Sequence, residues 1–327
     1  MRIFNKSKLN IPEKSLRLLI GIPVLNNLEI TRASLLTLFR ATQVDRLKLD
    51  ISILILDNGS SAEIWSMIRN DFPDPPFPVY FLRNAKNMGV AIAWNQILRF
   101  SPGIRPNSMF YYDYYVIANN DVFFGPDWLQ PMIENMENDR TIGWISTMEN
   151  GSCVLPELVT AHDISKQHRI DPKMPYTTSA ILGSLDRIYE KWGGHEAFCR
   201  YVKGCAISGF LPYQKKFRSA ACFMVRPEMV AQIGFFDEDF APIGISEDLE
   251  YFLRIEQIRQ PSWLSAEEYP SSEKWRCGFS TKSIVHHHWC CTHQGPDFDG
   301  RWWDKEREKN WQAKFGRSKK YYTALFE

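Results

Sequence analysis

Residues 51–61 read ISILILDNGSS, and this stretch decides the fold class. From Ile51 to Leu56 only Ser52 is polar, the length and character of a strand buried on both faces. The run stops at Asp57-Asn58-Gly59-Ser60-Ser61, a succession of turn formers. Upstream, Leu18 to Ile22 is a shorter apolar run closed by Pro23, and EITRASLLTLFR at 29–40 places apolar residues at helical spacing. Downstream, 62–70 reads as a helix, 73–78 as a proline-dense loop, 79–82 as a strand and 89–100 as a helix. Tyr114 to Ala118 is a fourth strand, and Asn119-Asn120-Asp121 follows it directly. Strands alternating with helices predict an α/β fold whose mostly parallel central sheet is flanked by helices on both faces. Ligands of such sheets bind beyond the carboxyl ends of the strands. Asp57 and Asp121 stand at two of those ends. Aspartate is also an ordinary turn residue, so it is the recurrence that points to a site.

Order returns in the second half after a gap. Residues 150–215 show no clean period and read as an irregular insertion or a small subdomain. Ala220 to Val225 reads as a strand, and Pro227 to Ile233 as a short helix with proline in its first turn. Ser246-Glu247-Asp248 opens a helix to about Ile258, with Ser246 as its N-cap. The chain has 327 residues, enough to bury a sizeable core without staples. Thirty-nine basic and 38 acidic side chains leave a net charge of +1, which excludes a protein living on bulk nucleic acid but allows a local basic patch. No apolar run reaches the roughly 18 residues of a membrane span, and the N-terminus shows no signal peptide. Seven cysteines, an odd number without CxxC spacing, fit a reducing cytoplasm better than a disulfide framework.

Several segments, in order, carry a resemblance: IPVLNN (22–27), DNGSS (57–61), NAKNMGVAIAWN (84–95), IANNDVFFGPDWL (117–129), SAACFMVRPEMVAQIGFFDEDF (219–240), ISEDLEYFLR (245–254), VHHHW (285–289) and NWQAKFG (310–316). Together they resemble the nucleotide-sugar-dependent glycosyltransferases of family 2, which have the GT-A fold. The resemblance implies a Rossmann-like GT-A sheet with an acceptor-side insertion. It divides the chain into an N-terminal extension (1–16), a nucleotide-sugar-binding half (17–130), the insertion (131–216), a catalytic half (217–293) and an aromatic, basic tail (294–327). It also implies inverting transfer from a nucleoside-diphosphate sugar to a hydroxyl, on a glycan or lipid-linked glycan, in the cytoplasm or peripherally at a membrane.

That chemistry has three requirements. The departing diphosphate needs a cation, the acceptor oxygen needs a base, and the nucleoside needs to be held. For the cation the resemblance points to Asn119-Asn120-Asp121, where the family usually has Asp-x-Asp. Asn119 takes the place of the first Asp, so Asp121 alone supplies charge, and Mn²⁺ or Mg²⁺ is expected to bind weakly without the donor. The family often adds a late histidine. If the chain is strand there, His286 and His288 share one face and His287 takes the other, and the pattern best matches His286. The resemblance assigns Asp248 as the base, though Glu247 and Glu250 cap a helix start equally well. For the donor it points to Pro23, Leu25, Asp57, Asn87, Gly89, Asn119 and Asn120. Arg83 and Lys86 can compensate diphosphate charge, Asn95 reads equally as structural, and Trp94 and Trp128 read as packing residues.

Rival readings use other residues. A modified base in DNA as acceptor would draw on Tyr213, Lys215, Lys216, Phe217, Arg218 and the segment 301–323. A Zn²⁺ site would draw on His286, His288, Cys290, Cys291 and His293, at a spacing that matches no standard finger. A non-catalytic carbohydrate-binding protein would explain Asn119 but not the retention of Asp57, Asp121 and Glu247-Asp248. A nucleotidyltransferase would need a Gly-rich phosphate loop, and none is convincing here.

Overall fold

The computed structural model describes residues 15–42, 49–71, 77–102, 110–151, 155–167, 177–206, 208–213, 219–240, 247–256 and 275–288, with isolated positions between 305 and 316. The expected N-cap Ser246, Lys215 to Arg218, and Cys290, Cys291 and His293 lie outside the described residues.

The first half alternates as expected: β1 (Leu16–Val24), α1 (Leu28–Ala41), β2 (Leu49–Asp57), α2 (Ala62–Asn70), β3 (Val79–Arg83), α3 (Val90–Leu98) and β4 (Tyr114–Ala118). Then come β5 (Val122–Phe124), α4 (Gln130–Asn138), β6 (Ile142–Met148), α5 (Pro156–Gln167), α6 (Thr178–Ile188) and α7 (His195–Cys205). The chain continues through β7 (Phe210–Pro212), β8 (Cys222–Val225), α8 (Pro227–Ile233), α9 (Glu247–Ile255) and β9 (Arg276–His287). The strands form one sheet in the order β3-β2-β1-β4-β8-β6-β9-β5, with β7 also on β9. β1 to β4 are mutually parallel. β8 runs antiparallel to both β4 and β6, and β9 runs parallel to β6. Among the described residues six strands therefore point one way, and β5, β7 and β8 run back. The carboxyl ends of β1, β2, β3, β4, β6 and β9 share one edge.

Strand alternation sorts the core into two faces. Leu18, Ile20, Ile22 and Val24 join Ile51, Ile53 and Ile55 on one face, with Leu35 and Leu38 of α1 and Met132 of α4. Leu19, Leu54, Leu56, Tyr115 and Ile117 face the other way, toward α3, α8 and α9. Gly21 sits under α3, where a Cβ would fall 2.3 Å from the Ile97 side chain, so the glycine lets that helix approach the sheet.

Between 150 and 215 the described residues form a small helical subdomain. Ile181, Leu185 and Ile188 of α6 recur at helical spacing and pack on Phe198 and Val202 of α7, Leu158 of α5 and Ile30 of α1. The subdomain is pinned to the main sheet at the start of α1, where the Glu29 carboxylate accepts from the Thr178 N–H at 2.7 Å and from its hydroxyl. No helix among the described residues is long and apolar enough to cross a membrane.

Candidate functional site

The first part of the site is built at the ends of β1, β2 and β3. Pro23 and Leu25 are half-buried at the end of β1, and Asn26 and Asn27 turn the chain with φ of 53° and 58°. Asparagine tolerates this left-handed region better than most residues. The Asp57 side chain is fully buried; Oδ1 accepts from the Ser60 N–H at 2.9 Å, and Oδ2 lies 3.1 Å from Arg83 Nε. Asn58, which sequence reasoning passed over, is the hub of this corner. Its Oδ1 accepts from Asn84 Nδ2 at 2.8 Å and from the Met88 N–H at 3.1 Å, while its Nδ2 donates to Asn87 Oδ1 at 3.0 Å and to the Gly89 carbonyl at 3.2 Å. The 84–89 loop is thereby stapled onto the end of β2. Asn87 is exposed and Gly89 is buried at the start of α3.

Gly59 is what allows that loop to close. Its φ is +89°, and a Cβ there would fall 2.3 Å from the Lys86 carbonyl carbon and 2.5 Å from the Asn87 nitrogen. Both obstacles are backbone, which cannot swing aside as a side chain can. Gly59→Ala is expected to destabilise the fold by about 1–3 kcal/mol. Urea midpoints check this; a wild-type value would refute the close-approach argument.

The second part lies where β4, β6 and β9 end. Asn119 is half-buried, and its N–H donates to the Ala221 carbonyl at 2.8 Å. Asn120 is buried and donates from Nδ2 to the Thr31 hydroxyl at 2.8 Å, so it ties this turn to α1 rather than projecting outward. Asp121 is 7 % exposed, and its carbonyl accepts from the His288 N–H at 2.9 Å. Its Oδ1 lies 3.3 Å from Nε2 of His287.

Asp121 thus meets His287, whereas the pattern pointed to His286. His286 is 1 % exposed and turns away, its Nδ1 sharing a hydrogen bond of 2.8 Å with the Tyr189 hydroxyl of the helical subdomain. Strand alternation was the right rule, and the β5–β9 pairing selects the face. Val122, next to Asp121, is the register partner of His287. Glu149 and Asn150, at the end of β6, complete the group. Glu149 Oε2 lies 2.9 Å from His287 Nδ1, and Asn150 Oδ1 accepts from the His287 N–H at 2.8 Å. Neither was picked out from the sequence, yet both follow a buried strand just as Asp57 and Asp121 do.

Burial works against a charge on His287, but Asp121 and Glu149 outweigh it and hold the imidazole well above its ordinary value. His286 goes the other way, with burial and the neighbouring histidines holding it well below. The metal question turns on the donor set. A carboxylate oxygen and an imidazole nitrogen 3.3 Å apart stand about as far from each other as neighbouring ligands on an octahedral ion with arms of roughly 2.1 Å. Oxygen with one imidazole suits Mn²⁺. No group of three or more His, Cys, Asp and Glu among the described residues forms a metal cage. These residues therefore fit a divalent ion that takes its remaining ligands from elsewhere.

Asp248 stands half-buried in the first turn of α9, its Oδ1 accepting from the Leu249 N–H at 2.8 Å. Asn95 is structural. Its side chain clamps the Phe236 backbone through both amide atoms, at 2.8 and 2.9 Å. Trp94 and Trp128 are core residues, and Arg83 is engaged with Asp57 and the Ser60 carbonyl. Tyr213 packs edge-on against Phe252 and Phe279 and donates to the Ser219 carbonyl, so its ring is not a platform for stacked bases. A cavity of about 310 Å³ opens elsewhere, among Thr37, Arg40, Phe124, Asp127, Leu185 and His195, at the far end of α1 from the strand-end edge.

Among solved structures the chain is similar to the mannosyltransferase PcManGT from Pyrobaculum calidifontis in complex with GDP-Man and Mn²⁺, at 12 % identity and a TM-score of 0.50 over 96 % of this chain and 69 % of that one. At that identity the likeness establishes the fold. GalNAc-T7 with UDP, GalNAc and Mn²⁺ is similar at 12 % identity and a TM-score of 0.45, over 84 % of this chain and 43 % of that one. Residues 1–349 of S. aureus TarS are similar at 8 % identity and a TM-score of 0.47, over 92 % and 73 %. A comparison with curated proteins gives no match. The family model for glycosyl transferase family 2 matches residues 19–190, more than half of the chain; the match takes in the Asp57–Asn58 corner, Asp121 and Glu149 and ends before β9. With the GT-A sheet and the polar groups gathered at its carboxyl edge, that match establishes the class: the chain belongs to glycosyl transferase family 2.

Proposed function

We propose that the chain is an inverting, divalent-metal-dependent glycosyltransferase that moves a sugar from a nucleoside diphosphate to a hydroxyl of a glycan or lipid-linked glycan. The observation that carries this reading is the meeting of Asp121 and His287, with Oδ1 and Nε2 3.3 Å apart, on the sheet edge that also holds the Asp57–Asn58 corner. The Mn²⁺ and GDP-Man held by the similar mannosyltransferase support it.

In this reading the nucleoside lies across the ends of β1 to β3. Pro23 and Leu25 offer apolar surface, Asp57 and Asn58 fix the shape of the corner from beneath, and Asn87 and Gly89 offer a close backbone approach. Asp121 and His287 would hold Mn²⁺ or Mg²⁺, with Asn119 and Asn120 shaping the turn that presents Asp121. The ion, when bound, supplies positive charge against the leaving diphosphate. Asp248 takes the proton of the acceptor hydroxyl as its oxygen forms a bond to the anomeric carbon. The bond from that carbon to the diphosphate oxygen breaks on the opposite face, so the configuration inverts.

A thermal-shift screen of nucleoside diphosphates and nucleotide sugars, with and without Mn²⁺, tests the donor half. One nucleotide with Mn²⁺ is expected to raise Tm by several degrees at a hundredfold excess over Kd, equivalent to about 2.7 kcal/mol, and either component alone to do much less. Equal shifts with and without the ion, or none with any nucleotide, would refute the reading.

A further inference from the structure

We infer that Glu149 is the positioning residue of the metal-binding histidine, orienting His287 through Nδ1 so that Nε2 faces Asp121. The inference rests on the reading of Asp121 and His287 just given.

An imidazole that ligates through one nitrogen carries its proton on the other and needs an acceptor there to fix both tautomer and ring orientation. Glu149 is the carboxylate in reach: its Oε2 is 2.9 Å from Nδ1, a close charge contact rather than an aligned hydrogen bond, and the residue is 5 % exposed, so water does not compete freely for either group. The neighbouring residue holds the backbone as well. Asn150 Oδ1 accepts from the His287 N–H at 2.8 Å, while the His288 N–H bonds the Asp121 carbonyl at 2.9 Å. Ring and strand are therefore held from the end of β6 and from the turn between β4 and β5. A ring turned by half a rotation about its axis would present carbon where Nε2 and Nδ1 now stand. Without Glu149 only the contact of Nε2 with Asp121 opposes that flip.

The bland alternative is that Glu149 only neutralises a buried imidazolium. A pair kept for that purpose alone is a weak investment, because the desolvation of two charged groups offsets much of their attraction. A carboxylate that must orient a ligand has a reason to stay. A third possibility, that Glu149 itself ligates the ion, gives a different mutational pattern.

The test measures Mn²⁺ affinity by electron paramagnetic resonance of the free ion, alone and with UDP or GDP, in the full chain. Glu149→Ala is expected to weaken Mn²⁺ by about 10–100-fold, the range for outer-shell partners of metal histidines. Glu149→Gln keeps an acceptor oxygen for Nδ1–H and is expected to recover most of that loss. Nucleotide affinity without metal should not move. Equal losses in the Ala and Gln variants would make Glu149 a ligand and overturn the positioning role, as would wild-type Mn²⁺ affinity in Glu149→Ala. Asp121→Asn and His287→Ala separate the layers. If both leave Mn²⁺ binding intact, the metal reading itself fails. If both lose it while Glu149→Ala does not, only the inference about Glu149 fails. Thermal midpoints of the metal-free variants identify any general unfolding, and the Gln variant, which conserves volume, keeps the test decisive if the Ala variant does not fold.

Discussion

Asp248→Asn is expected to lower kcat by about a thousandfold, within the range for removal of a general base, while donor binding stays near wild type. The reason the loss should be chemical lies in how α9 is held. Its anchors are elsewhere in the helix: the Tyr251 hydroxyl donates to the Gly234 carbonyl at 2.9 Å, and Arg254 bonds both Glu250 at 2.8 Å and the Ile233 carbonyl at 2.8 Å. Phe252, Leu253 and Ile255 are packed in the core beneath. Asparagine keeps an Oδ1 that can accept from the Leu249 N–H, so the first turn retains its local bond. What disappears is the ability to take a proton. Steady-state kinetics on the donor–acceptor pair, alongside a nucleotide titration, measure the two effects separately. Turnover within tenfold of wild type would move the base to another residue. A matching fall in donor affinity would recast Asp248 as a binding group.

The second large effect concerns stability in acid. His195, at the start of α7, is buried, and burial pushes its pKa down to about 4. The groups nearest its ring are Cys199, 3.5 Å from Nε2, with the rings of Tyr189 and His286 beyond. None of these carries a negative charge that would favour an imidazolium, since burial also raises the Cys199 thiol and the Tyr189 phenol. The unfolded chain therefore takes up the proton first, near the ordinary histidine value of about 6.5. Stability is fully present above that pH and falls as the pH drops from about 6.5 to about 4, by roughly 3 kcal/mol for this one residue. His286, held low by burial, adds in the same direction. Urea midpoints of wild type and His195→Phe across pH 7 to 4 check the sign. Relative to the variant, the wild type should lose stability as the pH falls, because the variant lacks the His195 component. Parallel curves would refute the assignment.

How much of this was visible beforehand differs by residue. Asp57 and Asp121 were legible because a buried apolar strand that stops at a polar residue marks a strand end, and strand ends line up in a parallel sheet. The same rule reaches Glu149, but only once Ile142 to Met148 is recognised as a strand. That run contains Gly143, Ser146 and Thr147, which blur the apolar signal. Asn58 looked like a turn former. Its role as the staple of the 84–89 loop depends on four hydrogen bonds to residues about thirty positions away or slightly fewer. The helices between 150 and 215 escaped because their apolar stripes are short and sit between segments rich in Gly, Pro and polar residues.

The sequence by itself determined the class of the molecule. Apolar runs long enough for two-sided burial, separated by helical periods and ended by polar residues, admit few arrangements besides a helix-covered sheet with its polar groups on one edge. Only the tertiary structure decided which of three consecutive histidines meets Asp121. Alternation along a strand separates His287 from its neighbours but does not say which face looks toward the site. The partner strand does, through the pairing of Val122 with His287 and of Phe123 with His286. Register is a relation between distant segments, set by which side chains can be buried together, and no reading of either segment alone contains it.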